Sequence, residues 1–107
     1  MLLSFNNEVL PTELTDFLNP EDIICPNPTK VDDISWTLQK QRPCLVLIEE
    51  SVGDRKKIVD IAETIIEAAY DYGVKTKVCL FAKDAIEHPH ISWVKNFKEA
   101  KGLWDTL

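Results

Sequence analysis

Glycine is scarce in this chain, with three among 107 residues. A phosphate-cradling loop needs several, because only glycine lets the backbone come close enough to a phosphate. Neither G-x-G-x-x-G nor G-x-x-x-x-G-K-[ST] occurs, so the common nucleotide loops are excluded. Cysteine is also limited to three residues, with no C-x-x-C pair. An odd count with no such pair argues against a disulfide framework and for a reducing compartment. No apolar run approaches the ~20 residues of a membrane helix. The start, Met1 to Glu8, lacks the basic region and apolar core of a signal peptide. The expectation is a cytoplasmic protein with no membrane partner. An excess of positive charge is missing too: 12 Lys and Arg stand against 18 Asp and Glu, a net charge of −6. Nucleic acid is therefore not expected as a partner, since phosphate neutralisation by Lys and Arg supplies most non-specific affinity.

What is present is ordinary globular composition, 45% apolar and 28% charged, in a length suited to one domain over residues 1–107. The organising stretch is residues 44–82. Cys44 to Ile48 is an unbroken apolar run, the pattern of a strand covered on both faces. Across Arg55–Tyr72, Ile58, Ile61, Ala62, Ile65, Ala69 and Tyr72 recur on one helical face. Gly73 then suits a left-handed helix stop, and Val78 to Ala82 is a second apolar strand. Two such strands joined by a helix predict a right-handed parallel βαβ unit.

Around this unit the chain alternates. Leu2–Phe5 reads as a short edge strand, Leu14, Phe17 and Leu18 as one face of a short helix, and residues 22–25 as a strand. Thr29 is the expected cap of a helix with Val31, Ile34 and Leu38 inward, ended by Pro43. Trp36 falls off that inward stripe. Ile91–Val94 reads as a strand and Asn96 as the cap of a final helix, with Glu99 as its capping partner; the alternative is a single helix from about Ile91 to Ala100 that stops at Gly102. In that helix Phe97, Ala100, Trp104 and Leu107 share a face. The fold class is α/β: a three-layer sandwich with a small, mostly parallel sheet of three to five strands flanked by helices. The turns Cys25–Thr29, Glu49–Asp54 and Lys83–His90 should gather at the carboxyl ends of the strands, where such sheets bind ligands.

Charge is unevenly spread. Residues 1–53 carry nine acids and three bases, and residues 54–107 nine of each. On the long helix Asp60, Glu63, Glu67 and Asp71 form a row opposite the apolar face, with no Lys or Arg between positions 58 and 74. Like charges at i,i+4 cost a few tenths of a kcal/mol each. With Asp32, Asp33 and the off-stripe Trp36 they make a candidate face for a basic protein partner. Small acidic inhibitor or immunity proteins that neutralise a basic nuclease or toxin act by such electrostatic complementarity.

A second candidate is the strand-to-helix turn carrying Ser51, Gly53, Arg55, Lys56 and Lys57. Unpaired amides at a helix start favour an anion, and three bases there oppose the macrodipole. A small enzyme or sensor for an anionic, phosphorylated ligand is the alternative reading, with Asp84 and His88 across the crevice. Other groups carry less. Glu49 and Glu50 are adjacent on a strand and point to opposite faces. His88 and His90 flank Pro89 and would project to one side in extended backbone, but no third metal ligand is spaced to join them. Cys25, Cys44 and Cys79 read as small apolar strand residues. No catalytic residue, metal or cofactor is assigned.

Overall fold

A computed structural model of the chain describes residues 1–3, 24 and 26–106. The apolar run becomes β2 (Leu45–Glu49), buried from Leu45 to Ile48. It lies between β1 (Leu2–Leu3) and β3 (Lys77–Phe81), and β4 (Ser92–Val94) completes a four-stranded sheet in the order β1-β2-β3-β4. Every pairing is parallel, with Leu3 beside Ile48, Ile48 beside Leu80, and Leu80 beside Trp93. The α/β class, the parallel sheet and the strand-then-helix ending of the chain are as the sequence predicts.

Alternation sorts the strand residues onto two faces. On one, Leu3, Val46, Ile48, Val78 and Leu80 meet α1 (Val31–Gln41) and α2 (Arg55–Asp71), which contribute Ile34, Leu38, Ile58, Ala62 and Ile65. On the other, Leu2, Leu45, Leu47, Cys79 and Val94 form a smaller cluster with Ala100, and Phe81, Leu103 and Trp104 pack beside it. Ala100, Leu103 and Trp104 belong to α3 (Phe97–Asp105). The β3–β4 link has no helix. Its Ile86 and Ile91 are buried in the α1/α2 cluster, filling the place a crossover helix would take.

Ile24 marks the outer flank of β1. Met1 turns its nitrogen and carbonyl toward β2, donating to the Leu45 carbonyl and accepting from the Leu47 amide, both at 2.8 Å. Adjacent strand residues point their amides to opposite sides, and the Leu2 N–H donates to the Ile24 carbonyl at 2.9 Å. Ile24 therefore lies on the flank of β1 away from β2. From there the chain passes through α1 back across β1 to enter β2.

Local chemistry explains the helix ends. Asp54 caps α2 by accepting the Lys57 amide at 2.8 Å. Gly73, at φ +68°, closes it: its amide bonds the Tyr70 carbonyl and that of Val74 the Ala69 carbonyl, a Schellman motif with Val74 buried. Asn96 caps α3 through the Glu99 amide at 2.9 Å, and the Glu99 carboxylate accepts the Lys95 amide. Arg42 ends α1 in the left-handed region, φ 46°. Its guanidinium reaches the carbonyls of Tyr72 and Gly73, setting a cation at the negative end of α2.

Several residue assignments are corrected. Thr29 does not cap α1; Lys30 holds the cap position, and the Thr29 amide and hydroxyl both bond the Asn27 side chain. The short proline-bounded turn lets Asn27 organise it, which displaces the hydroxyl from the helix. Val31 is 60% exposed rather than core, because α1 begins at the edge of the sheet face. Tyr72 is exposed, since the helix has already turned into its cap there. Ile61 is half-buried, facing α1 rather than the sheet. Cys44 is exposed at the bend before β2 rather than a strand residue. The expected helix around Leu14, Phe17 and Leu18, the strand at 22–25 apart from Ile24, Ser4 and Phe5 of the first strand, Cys25, Leu107 and the Phe97 side chain lie outside the described residues.

Candidate functional site

The Glu49–Asp54 and Lys83–His90 turns meet at the carboxyl end of the sheet. The Lys83 amide donates to Glu50 Oε2 at 3.3 Å, and the Arg55 guanidinium donates to the Ala85 carbonyl. Between them lies a crevice of about 200 Å³ lined by Glu50, Gly53, Asp54, Arg55, Ala82 and Asp84, with Ile58 and Ile86 at its base. Three carboxylates face one guanidinium that is already bonded. Of the first-turn amides of α2, that of Lys57 is taken by the Asp54 carboxylate. Of the five residues expected to hold an anion, Gly53 and Arg55 line this crevice, whereas Lys57 lines a different depression, between α1 and α2. Gly53 is extended, φ 174°, and a Cβ there would collide with the Lys57 side chain. The crevice thus has an acidic lining, and the basic residues of the turn are divided between two surfaces.

His88 is not across this crevice. Pro89 and His90 form a turn, so the expected extended segment is replaced by a reversal in which His88 bridges Ile91. The His90 amide donates to His88 Nδ1 at 3.1 Å, which leaves the ring proton on Nε2 facing Glu63 Oε1 at 3.1 Å. Both ring nitrogens are engaged, which removes His88 as a metal ligand in this arrangement. No group of three or more His, Cys, Asp or Glu placed to hold a metal ion occurs among the described residues.

The acidic row stands where the sequence predicts, opposite the buried Ile58, Ala62, Ile65 and Ala69. Asp60, Glu63, Glu67 and Asp71 are all exposed. Glu63 is held by His88, whose Nε2–H donates to its carboxylate at 3.1 Å. Asp60, Glu67 and Asp71 continue the ridge and make no ion pair among the described residues.

Asp32, Asp33 and Trp36 are on α1, packed beside α2 on the same sheet face. Asp33 is a local brace, accepting the Asn27 amide at 2.8 Å, while Asp32 is exposed and Trp36 is 56% exposed. Between the helices runs a furrow of about 150 Å³, walled by Val31, Ile34 and Leu38 on one side and Ile61, Ile65 and Ala68 on the other. Asp60 and Lys57 lie on its rim. Val31 continues it onto a shallow shelf with Asp32, Asp33, Lys30 and Trp36. The residues assigned to a partner face thus fall on neighbouring helices, linked through Val31. Sequence pattern did not reveal the furrow, because it depends on how far apart two helices settle. The only hint was Trp36 lying off its stripe.

Cys79 is fully buried, and burial pushes its thiol from 9.0 up to about 12, with Lys77 opposing and Glu99 reinforcing the shift. A thiol held protonated is a poor nucleophile. Comparisons with models of protein families, with curated proteins and with solved structures found no match to this chain.

Proposed function

We propose that this protein is a non-enzymatic binding module whose α1/α2 face docks a basic protein, in the manner of small acidic inhibitors that neutralise a basic nuclease or toxin. The observation that carries this reading is the ridge of Asp60, Glu67 and Asp71, exposed and in no ion pair among the described residues. Glu67 and Asp71, one turn apart at i,i+4, repel one another, and Asp60 stands two turns before Glu67. A folded helix keeps such a row at a small cost to its own stability, and a basic surface would turn that cost into attraction. Long-range attraction steers encounter, and an aromatic residue exposed nearby, here Trp36, supplies contact area once the surfaces meet. None of the helices is long and apolar enough to cross a membrane, among the described residues, and the reading places the protein in the cytoplasm.

Capture from native lysate at about 50 mM salt, comparing the chain with its Glu67→Lys/Asp71→Lys variant, tests this. Those two positions are chosen because Glu63 is tied to His88. A basic protein retained by the unmodified chain, released as salt approaches ~500 mM and lost by the variant is the expected result. Retention that ignores both salt and charge reversal would overturn it.

A further inference from the structure

The histidines of the chain, His88 and His90, share one turn, and that turn is joined to the acidic row of α2. Histidine is the side chain whose charge changes between about pH 5 and 8, so a ring tied to the row makes the charge of the row depend on pH. The His88 ring is fixed at both nitrogens. Its Nδ1 accepts the His90 amide at 3.1 Å, and its Nε2 lies 3.1 Å from Glu63 Oε1. A backbone amide can only donate, so Nδ1 carries no proton and the ring proton is on Nε2, given to the carboxylate. This is the neutral imidazole with both nitrogens used.

A second proton has one place to go, which is Nδ1. There it meets the His90 N–H, donor against donor, and that hydrogen bond is lost. The Nε2 contact survives and becomes an ion pair with Glu63. One protonation therefore takes the brace from the Pro89–His90 turn and sets a cation against the acidic row. Glu63 is the charge that faces the ring from α2. From its own segment come the His90 ring, edge-on at 6.2 Å, and the neighbouring Glu87. β4 brings no charged residue. Arg55 at the start of α2 is turned to the Ala85 carbonyl, and Arg42 at its end to the carbonyls of Tyr72 and Gly73. Both guanidinium groups stay charged across this range, so they add nothing that varies with pH.

Resting on the acidic-face reading above, we propose that His88 makes that face pH-sensitive: its protonation cancels the charge of Glu63 and releases the His90 turn, so the hold on a basic partner weakens as pH falls from about 7.5 to about 5.5. The sign follows from linkage. A basic partner favours the neutral ring, so binding expels the His88 proton, and affinity is full above the titration and reduced below it.

The probe is fluorescein-labelled octalysine, whose own charge is constant over this range because lysine titrates near pH ~10.4. Binding is read by anisotropy at low salt, at about pH 7.5 and about pH 5.5. The proteins are the full chain, His88→Gln, His90→Gln and Glu67→Lys/Asp71→Lys, each checked for an unchanged Tm. The unmodified chain should bind about threefold more weakly at the lower pH, the size of one exposed ion pair. His88→Gln, which keeps a donor for Glu63 but cannot take up a proton, should bind alike at both. His90→Gln should retain most of the pH effect. An equal loss in His88→Gln would overturn the inference and leave the acidic face standing. Octalysine binding untouched by Glu67→Lys/Asp71→Lys, or absent at millimolar peptide, would overturn the acidic-face reading and this inference with it. A second readout needs no partner: in NMR spectra the His90 amide should shift in step with the His88 ring as pH falls, and should stop doing so in His88→Gln. A His90 amide indifferent to that titration would overturn the inference whatever the peptide does.

Discussion

Single residues show how much context decides. Gly102 lies within α3, exposed, and a Cβ there would meet nothing within 4 Å. Glycine loses more backbone entropy on folding than alanine, so Gly102→Ala should stabilise the fold by about 0.5–1 kcal/mol. Differential scanning calorimetry should show Tm rising by roughly 4 °C; a fall would mean α3 does not continue through this position. Cys79 makes a pH prediction. Its thiol titrates near 9.0 when exposed and near 12 when folded. Between those values the unfolded chain has released a proton that the native one keeps, so this group lowers stability as pH rises from 9 toward 12 and has no effect at neutral pH. Urea unfolding at intervals from pH 7 to 11 should show a shallower alkaline decline in Cys79→Ala than in the unmodified chain. Equal declines would show that the thiol is not shielded.

At the scale of elements, the ends were more legible than the faces. Gly73 and Asn96 are where capping chemistry places them, because a cap acts through backbone groups within three or four residues and needs no neighbour. Asp54→Ala removes the acceptor of the Lys57 amide and should cost about 1 kcal/mol, seen as a lower urea midpoint with unchanged slope. Asp54→Asn, which keeps an acceptor, should recover most of it. Thr29 failed the same logic because Asn27 competes for its hydroxyl. Faces were less readable. Val31 and Tyr72 have the right helical phase for burial, yet each sits at an end of its helix where the sheet beneath runs out. Ile61 has the phase but faces α1.

For the whole molecule, the uneven charge becomes a geometric statement. α1 and α2 share one sheet face because β1, β2 and β3 follow in order and right-handed crossovers then fall on one side. That places Asp32 and the acidic row of α2 on neighbouring ridges, with the furrow between them. The field from exposed carboxylates is screened over about 8–10 Å at physiological salt. Association through this face should therefore weaken steeply with ionic strength, mainly through its on-rate. The anion reading fared differently. Its residues are adjacent in sequence, but Arg55 turns to the Ala85 carbonyl and Lys57 to the furrow, since successive helix positions are about 100° apart.

Sequence alone determined the α/β class, the parallel placement of 45–49 beside 77–81, the glycine stop of the long helix and the outward row of acids. Each follows from periodicity or from contacts within a few residues. Tertiary structure alone decided that His88 would hold Glu63, that the turn beside β2 would be lined by carboxylates, and that a furrow would open between α1 and α2. Those depend on distances between elements far apart in the chain, set by side-chain volumes packed across a shared sheet, and no local pattern encodes them.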